Sequence, residues 1–540
     1  MKKFILLIII LLAAFLRLWD LNNFPAGLNA DEAAIGYNAY SLLQTGKDEY
    51  GIAFPLSFKS FGDYKPGLYF YFVMPFVAFF GLNEWAVRIP SALFGIGTVI
   101  LMYFLTRQIF KNEWIAILSS LLLAISPWHL HFSRGGWETN VATFFMTLGV
   151  LLFIKSKEKI SLLFFSLLSF LTSMYIYQSP RLIVPVLLLA LFWLYKDDLT
   201  DNIKRNIKKP TYLLVILFIL SIPLFGQFLS NQGTARFSGL SFFSDPGPIS
   251  RVNELRGEHI DTKAYEVILL HNKITTYLPN LLGHYLDHFK PDFLFINGDP
   301  IIRNKVPETG QLYLYQSIFL ILGLVGLVKK PIKDGKLILA WLLIAPIASA
   351  TTFQTPHALR ALSMVIPINM ITAFGLWFVF DNITKFWKIL LLTVLSFFIL
   401  FEFTHYLESY YVHYPKRYPL AWEYGFSEMV TKLQKYEGKY QNIVITDRYD
   451  QPYILVLFYK KHDPRKYQPQ AKLTERDKFN FGTVRSLDKY QFRSIDPTEV
   501  GRDPETLYVG TETEIPKSAN ILDKVDFPNG QPAFIFAASI

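Results

Sequence analysis

No cysteine occurs in the 540 residues. The chain therefore makes no disulfide, offers no thiolate to a metal and has no cysteine nucleophile, while its redox compartment stays open. Charge is scarce too. Asp, Glu, Lys and Arg make up 18% of the chain against 52% hydrophobic residues, and the mean hydropathy is +0.28, a balance that excludes an ordinary soluble protein and places the chain in a membrane. Internal repeats, low-complexity segments, a Walker pattern and a strand followed by a Gly-rich turn and helix are also missing, so nothing points to a nucleotide site.

What charge there is sums to +10. The basic residues fall in short clusters between apolar runs, such as Lys2-Lys3, Lys155-Lys157-Lys159 and Lys385-Lys388. This is the positive-inside pattern, with anionic lipid headgroups and not nucleic acid as the partner. Lys2 and Lys3 precede the apolar run from Phe4 to Leu16 with no small-residue cleavage site behind it, which predicts a signal anchor with a cytoplasmic N-terminus. Treating the aromatic run Tyr69 to Phe80 as a helix lying in the outer interface brings every later cluster to the inner side. The result is an α-helical polytopic membrane protein with about eleven spans over residues 1–408 and long outer loops at 20–87 and 230–311. Beyond about Thr404 the composition changes. The runs Gln441 to Thr446 and Tyr453 to Tyr459 read as strands and Phe426 to Tyr436 as helix, predicting a small extracytoplasmic α/β domain over 409–540.

With this topology one side of the membrane collects the ionisable residues that positive-inside does not explain: Asp31, Glu32, Lys65, Arg88, Arg134, Glu138, His288, His357 and Arg360 among them. Charge near membrane depth is costly unless paired or wet, so its concentration marks a functional face. Adjacent Asp31 and Glu32 point to different sides of a regular element, so one can face a site while the other serves structure. Taken alone, Asp31 before Glu32-Ala33-Ala34 reads as a helix N-cap. Glu138 after Gly135-Gly136-Trp137 sits in a similar cap-like position. Arg88 suits an interfacial anchor as well as a site, and Lys65 suits either snorkelling or a lipid phosphate at headgroup depth. His284 and His288 have the i, i+4 spacing of two metal ligands without the Glu of a zincin motif, and aromatic-like packing is the plainer role. Together these groups describe an outer cleft in which a carboxylate deprotonates a hydroxyl and cations hold a leaving phosphate.

Five segments in order carry a resemblance: Asp31-Glu32 after the first span, Tyr64-Lys65-Pro66 before the aromatic helix, Val87-Arg88-Ile89-Pro90-Ser91-Ala92-Leu93, Ser126-Pro127 through Arg134 to Glu138, and His288-Phe289-Lys290-Pro291 with Phe293-Leu294-Phe295 and Gly298-Asp299. In this order they resemble the polyprenyl-phosphate-sugar-dependent glycosyltransferases of the membrane-embedded C fold, which include protein O-mannosyltransferases and lipid A aminoarabinose transferases. The resemblance implies an inverting transferase whose donor is a polyprenyl-phosphate-linked sugar and whose acceptor is a protein, lipid or glycan hydroxyl, outside the plasma or inner membrane. It further implies Asp31 as general base, Glu138 as second acid where an Asp is common, and Lys65 and Arg360 on the donor phosphate. Glu32, Tyr64, Arg88, Arg134, His357 and His288 would be supporting or substrate-binding. No cofactor is implied, and a divalent metal is left open. The competing classes are a transporter or flippase of lipid-linked sugars, disfavoured by the absence of repeats and of midplane charge, and a structural or sensory protein displaying its C-terminal domain.

Overall fold

A computed structural model describes residues 1–199, 208–229, 247–332, 334–477 and 481–539. Of the expected outer loop 230–311, residues 230–246 lie outside the described residues. The chain divides into two compact units. One comprises Met1–Ala13, Gly97–Leu130 and Ala142–Glu402, and the other Ala14–Ile96, His131–Val141 and Phe403–Ile540.

The first unit is helical among the described residues. Its helices are built from apolar runs cut by Pro, Gly and Ser. Four helices among the described residues are long and apolar enough to cross a bilayer, or five if α5 (Glu113–Ile125) and α6 (Pro127–Arg134), bent by 54°, are one span. Ser126-Pro127 makes that bend, because Pro127 cannot donate to the preceding turn. The other apolar helices run 10–17 residues, so the expected number of about eleven crossings is not reached by length and composition alone. Leu314–Lys329 and Val365–Asn382 approach closely through glycines: a Cβ on Gly323 would lie 2.1 Å from the Ile371 carbonyl oxygen, and one on Gly375 1.9 Å from that of Phe319. Small residues let backbones meet where lipid offers no hydrophobic drive between helices. Lys385–Glu408 exposes Phe386, Trp387, Ile389, Phe397 and Phe401, as a helix facing lipid does.

In the second unit, helix α1 (Lys2–Leu18) contributes its last turn, followed by α2 (Ala30–Thr45), a hairpin of β1 (Ser57–Ser60) and β2 (Asp63–Pro66), and α3 (Leu68–Phe80). At 13 residues, α3 is about 20 Å long, too short for a hydrocarbon core of about 30 Å. Helix α4 (Glu84–Phe110) begins here, and α7 (Glu138–Lys155) starts at the end of the segment that follows Arg134. The C-terminal part holds a six-stranded mixed sheet, β3 (Asn442–Ile445), β4 (Ser486–Leu487), β5 (Tyr490–Phe492), β6 (Thr506–Gly510), β7 (Asn520–Asp526) and β8 (Pro532–Ala538), in the order β4-β5-β3-β6-β8-β7. Central β3 is parallel to β5 and β6, and the other pairs are antiparallel.

Two expectations change here. Gln441 to Thr446 contains the strand β3, but Tyr453 to Tyr459 is helix, within Pro452–Lys460. Residues 452–458 are all buried, so the run shows no polar face, and a continuous apolar run does not distinguish strand from helix. Pro452 in the first turn, where its missing N–H costs nothing, is the local signal that decides it. The second change concerns Asp31. Helix α2 starts at Ala30, and its N-cap is Asn29, whose side chain accepts the Glu32 N–H at 3.0 Å. Asp31 therefore stands in the first turn, where its charge favours the helix dipole, but does not cap it.

Candidate active site

Asn29 sets the start of α2 and thereby separates the two acids. Glu32 turns inward and is fully buried. Arg88, near the start of α4 and equally buried, donates from Nε to Oε1 at 3.0 Å and from Nη2 to Oε2 at 3.2 Å. The Gly136 N–H adds a bond to Oε1 at 2.7 Å, and the Asn29 amide one to Oε2 at 3.2 Å. Four donors on one carboxylate offset the cost of burying it. Gly136 must be glycine for this approach, since a Cβ would fall 2.9 Å from Val87 Cγ1 and 3.2 Å from Glu32 Cγ.

Asp31 turns the other way. Its side chain keeps 39% of its surface exposed, and its Oδ1 accepts a charge-assisted bond from Lys65 Nζ. Lys65 sits on β2 opposite Phe58, and the Gly67 N–H bonds the Leu56 carbonyl at 3.0 Å to close the hairpin base before α3 begins. Tyr64 precedes it on the same strand, so alternation sends its side chain to the opposite face. A carboxylate that reaches solvent, held beside an ammonium carrying three donors, is an acid–base group next to an anion-binding one.

Behind Lys65, the loop after α2 buries a further acid. Glu49 Oε1 accepts the Asn38 amide at 3.0 Å, and the Glu49 N–H donates to Asn38 Oδ1 at 2.9 Å. Burial pushes the Glu49 carboxyl up to about 8, against the opposing Asn38 bond. Asp48 beside it is raised for the same reason. Neither was singled out from sequence.

Glu138 opens α7, two residues beyond Gly136, and is buried. It stands near enough to Tyr69 that, after burial itself, its charge is the largest cause holding that phenol well above the ordinary range. Arg134 is buried and donates to the carbonyls of Leu16 at 2.6 Å, Trp19 at 2.8 Å and Phe24 at 3.2 Å, and to Tyr410 Oη at 3.1 Å. Arg88 likewise reaches the carbonyls of Leu21 at 3.1 Å, Pro25 at 3.0 Å and Gly27. Both guanidiniums thus hold the loop between α1 and α2. Asp31, Glu32, Tyr64, Lys65, Arg88, Arg134 and Glu138 all belong to this second unit.

His288, His357 and Arg360 belong to the first unit. His288 donates from Nδ1 to the His284 carbonyl at 2.9 Å, and its Nε2 meets Ser349 Oγ at 2.7 Å and the His357 N–H at 3.3 Å. A nitrogen that accepts here is the unprotonated one, and burial accordingly lowers this imidazole to about 4. Both nitrogens being engaged, the His284/His288 spacing serves packing, and among the described residues no three His, Asp or Glu side chains are placed to hold a metal. Asp299 fastens the same region, accepting the Ala358 N–H at 2.6 Å, the Ile301 N–H at 2.7 Å and the Asn304 amide at 3.1 Å. Burial raises the Asp299 carboxyl against these bonds. Arg360 donates to Thr352 Oγ1 at 2.7 Å. Burial first, then the charge of Arg360, with that of Arg303 last, keeps His357 neutral. Arg303 therefore joins Arg360 as a cation of this region.

Asn29 was legible as a cap candidate three residues before Glu32. Nothing local marks Gly136 as its donor, because that contact joins positions far apart in the chain.

Comparison with known proteins agrees with this architecture. The family model described as dolichyl-phosphate-mannose-protein mannosyltransferase matches residues 7–228. YkcB of Bacillus subtilis (strain 168), named as a mannosyltransferase, is 27% identical over 143 residues, which cover 26% of this chain and 20% of YkcB. ArnT from Cupriavidus metallidurans, in a structure bound to undecaprenyl phosphate, superposes with a TM-score of 0.56 at 11% identity, over 99% of this chain and 97% of that one. The oligosaccharyltransferase AglB from Archaeoglobus fulgidus, in complex with an inhibitory peptide and a dolichol-phosphate, gives a TM-score of 0.52 at 13% identity, over 85% of this chain and 63% of that one. This chain thus spans about a fifth of the matched curated relative and under two thirds of the archaeal enzyme. The family match is thus confined to residues 7–228, and the chain as a whole is a multi-pass membrane protein that shares its fold with ArnT.

Proposed function

We propose that the protein is an inverting glycosyltransferase that moves a sugar from a polyprenyl-phosphate-linked donor to an acceptor hydroxyl at the extracytoplasmic face. The observation that supports this best is the Asp31–Lys65 pair, a reachable carboxylate beside an ammonium. The family match over residues 7–228 and the fold shared with a protein that holds undecaprenyl phosphate agree with a lipid-phosphate donor.

In the proposed step Asp31 takes the proton of the acceptor hydroxyl, whose oxygen attacks the anomeric carbon in line. The bond from that carbon to the phosphate oxygen breaks, its electron pair leaves with the lipid phosphate, and the configuration inverts. Lys65 releases Asp31 to meet the leaving phosphate, with Arg360 as a second contact. Glu138 is the second acid, and Glu32 and Arg88 hold Asp31 in place. The proposed step uses no cofactor, a divalent metal is left open, and transfer measured with and without EDTA tests for one. Residues 1–408 form the transferase body, and 409–540 an extracytoplasmic domain.

The test is purified protein in nanodiscs with a radiolabelled polyprenyl-phosphate sugar and a pool of acceptors. Labelled product inverted at the anomeric carbon supports the reading. Movement of intact donor between leaflets without transfer supports a flippase instead. Because the chain has no native cysteine, single cysteines placed at the exposed positions Asn22 and Lys416 report sidedness by labelling with an impermeant maleimide. Labelling only from the cytoplasm would reverse the proposed orientation.

A further inference from the structure

The loop Leu21–Gly27 is held from one side by the two guanidiniums, Arg88 on the carbonyls of Leu21, Pro25 and Gly27 and Arg134 on that of Phe24. On its other side Asn22, Asn23, Phe24, Ala26 and Gly27 line a cavity of about 760 Å³ within the second unit. Facing the loop, Tyr411, Tyr424 and Tyr459 supply rings and Glu84 and Glu428 carboxylates, while Asn23 adds an amide from the loop itself. The Tyr459 hydroxyl donates to Glu84 Oε1 at 2.8 Å, and Phe24 packs edge-on against Tyr411 with ring centroids 4.9 Å apart. The walls are therefore set before any ligand arrives, which lowers the ordering cost of binding. None of the proposed transfer residues lines this cavity.

We propose that this cavity is a saccharide subsite that holds the acceptor, so that the acceptor is a neutral glycan. This rests on the transferase reading above. Three features of the lining select the ligand. Tyrosine rings offer apolar faces with a polar tip to pack on the C–H faces of a sugar, while carboxylates and amides bond hydroxyls. The carboxylates of Glu84 and Glu428, the latter paired with Lys432 at 3.0 Å, balance the ammonium groups of Lys416 and Lys432, so the lining carries no net positive charge to draw a phosphate or an anionic headgroup. No lining residue belongs to a β-strand, so a peptide finds no edge to extend by strand addition. The volume lies in the usual range of small-molecule sites, about 300–1,000 Å³.

The experiment probes full-length protein in nanodiscs on an array of neutral glycans, and separately with phosphatidylglycerol vesicles. Binding to at least one neutral glycan, weakened tenfold or more by Tyr424→Ala and by Glu428→Ala but not by Asp31→Asn, is the expected result. Glu428 is exposed, so its variant reports on the cavity even where Tyr424→Ala fails to fold. In transfer assays Glu428→Ala should raise the acceptor KM tenfold with kcat unchanged. No neutral glycan bound, binding indifferent to both variants, or vesicle binding that depends on Tyr424 would each overturn the proposal. Binding needs no chemistry, so the two readings fail separately: glycan capture with no transfer leaves the subsite standing, and transfer with no glycan capture leaves the enzyme standing without it.

Discussion

Glu32 and Arg88, 56 positions apart, form an ion pair in which neither side chain reaches solvent. Arg88 spends its remaining donors on carbonyls of the loop before α2, and Glu32 accepts from Gly136 just ahead of α7. One buried contact thus ties together the loop, the start of α2, the start of α4 and the entry to α7. Asp31 is the next residue, so its position depends on this joint.

Breaking the joint from one side leaves a buried charge without its partner, which costs about 3–5 kcal/mol. Arg88→Met and Glu32→Gln should each lower the thermal unfolding temperature of the detergent-purified protein. The double variant should be clearly more stable than the sum of the two losses predicts, because the second substitution removes an already orphaned group. Strict additivity in this cycle would mean that the pair carries no coupling.

Glu49 makes a pH prediction. Its folded carboxyl titrates at about 8 against an ordinary 4.5, so the folded state keeps a proton that the unfolded chain gives up. The stability linked to this proton is complete below about pH 4.5 and declines as pH rises through about 8. Glu49→Gln removes that dependence. Melting curves of wild type and variant should diverge in the variant's favour between pH 4.5 and 8, and run parallel above. Parallel curves across the whole range would place Glu49 outside this linkage.

Lys65 and Arg360 separate by kinetics. If Lys65 meets charge that develops on the leaving phosphate, Lys65→Ala should lower kcat by about 10²–10³, and Lys65→Arg should recover part of it. Arg360→Ala should chiefly raise the donor KM, by about tenfold, as loss of a contact made equally in the ground state does. A change in KM alone for Lys65→Ala would reassign it to donor binding.

The membrane body was legible because apolar runs and basic clusters alternate, and the structure brings Asp31, Lys65 and Glu138 into one unit. Asp31 and Glu32 were separable in principle, since adjacent side chains diverge. Which of them turns inward depended on Arg88 and Gly136, far away in the chain, and no local pattern encodes such a pairing. Asn29 was readable as a cap, yet the more conspicuous charge of Asp31 drew that role. Tyr453 to Tyr459 misled for another reason: a run buried on every side has no polar positions to betray its period. The cavity beside Leu21–Gly27 was illegible, as its walls come from six stretches of chain that only the fold assembles.

The most direct measurement is the transfer rate of Asp31→Asn in nanodiscs, taken beside Glu32→Gln and with donor binding followed in the same samples. The predicted result is a loss of at least about 10²-fold for Asp31→Asn, the range of a missing general base, with donor still bound. Glu32→Gln should lose folded protein in larger measure than rate per folded molecule. Transfer by Asp31→Asn at the wild-type rate would contradict the assignment of Asp31 as the base.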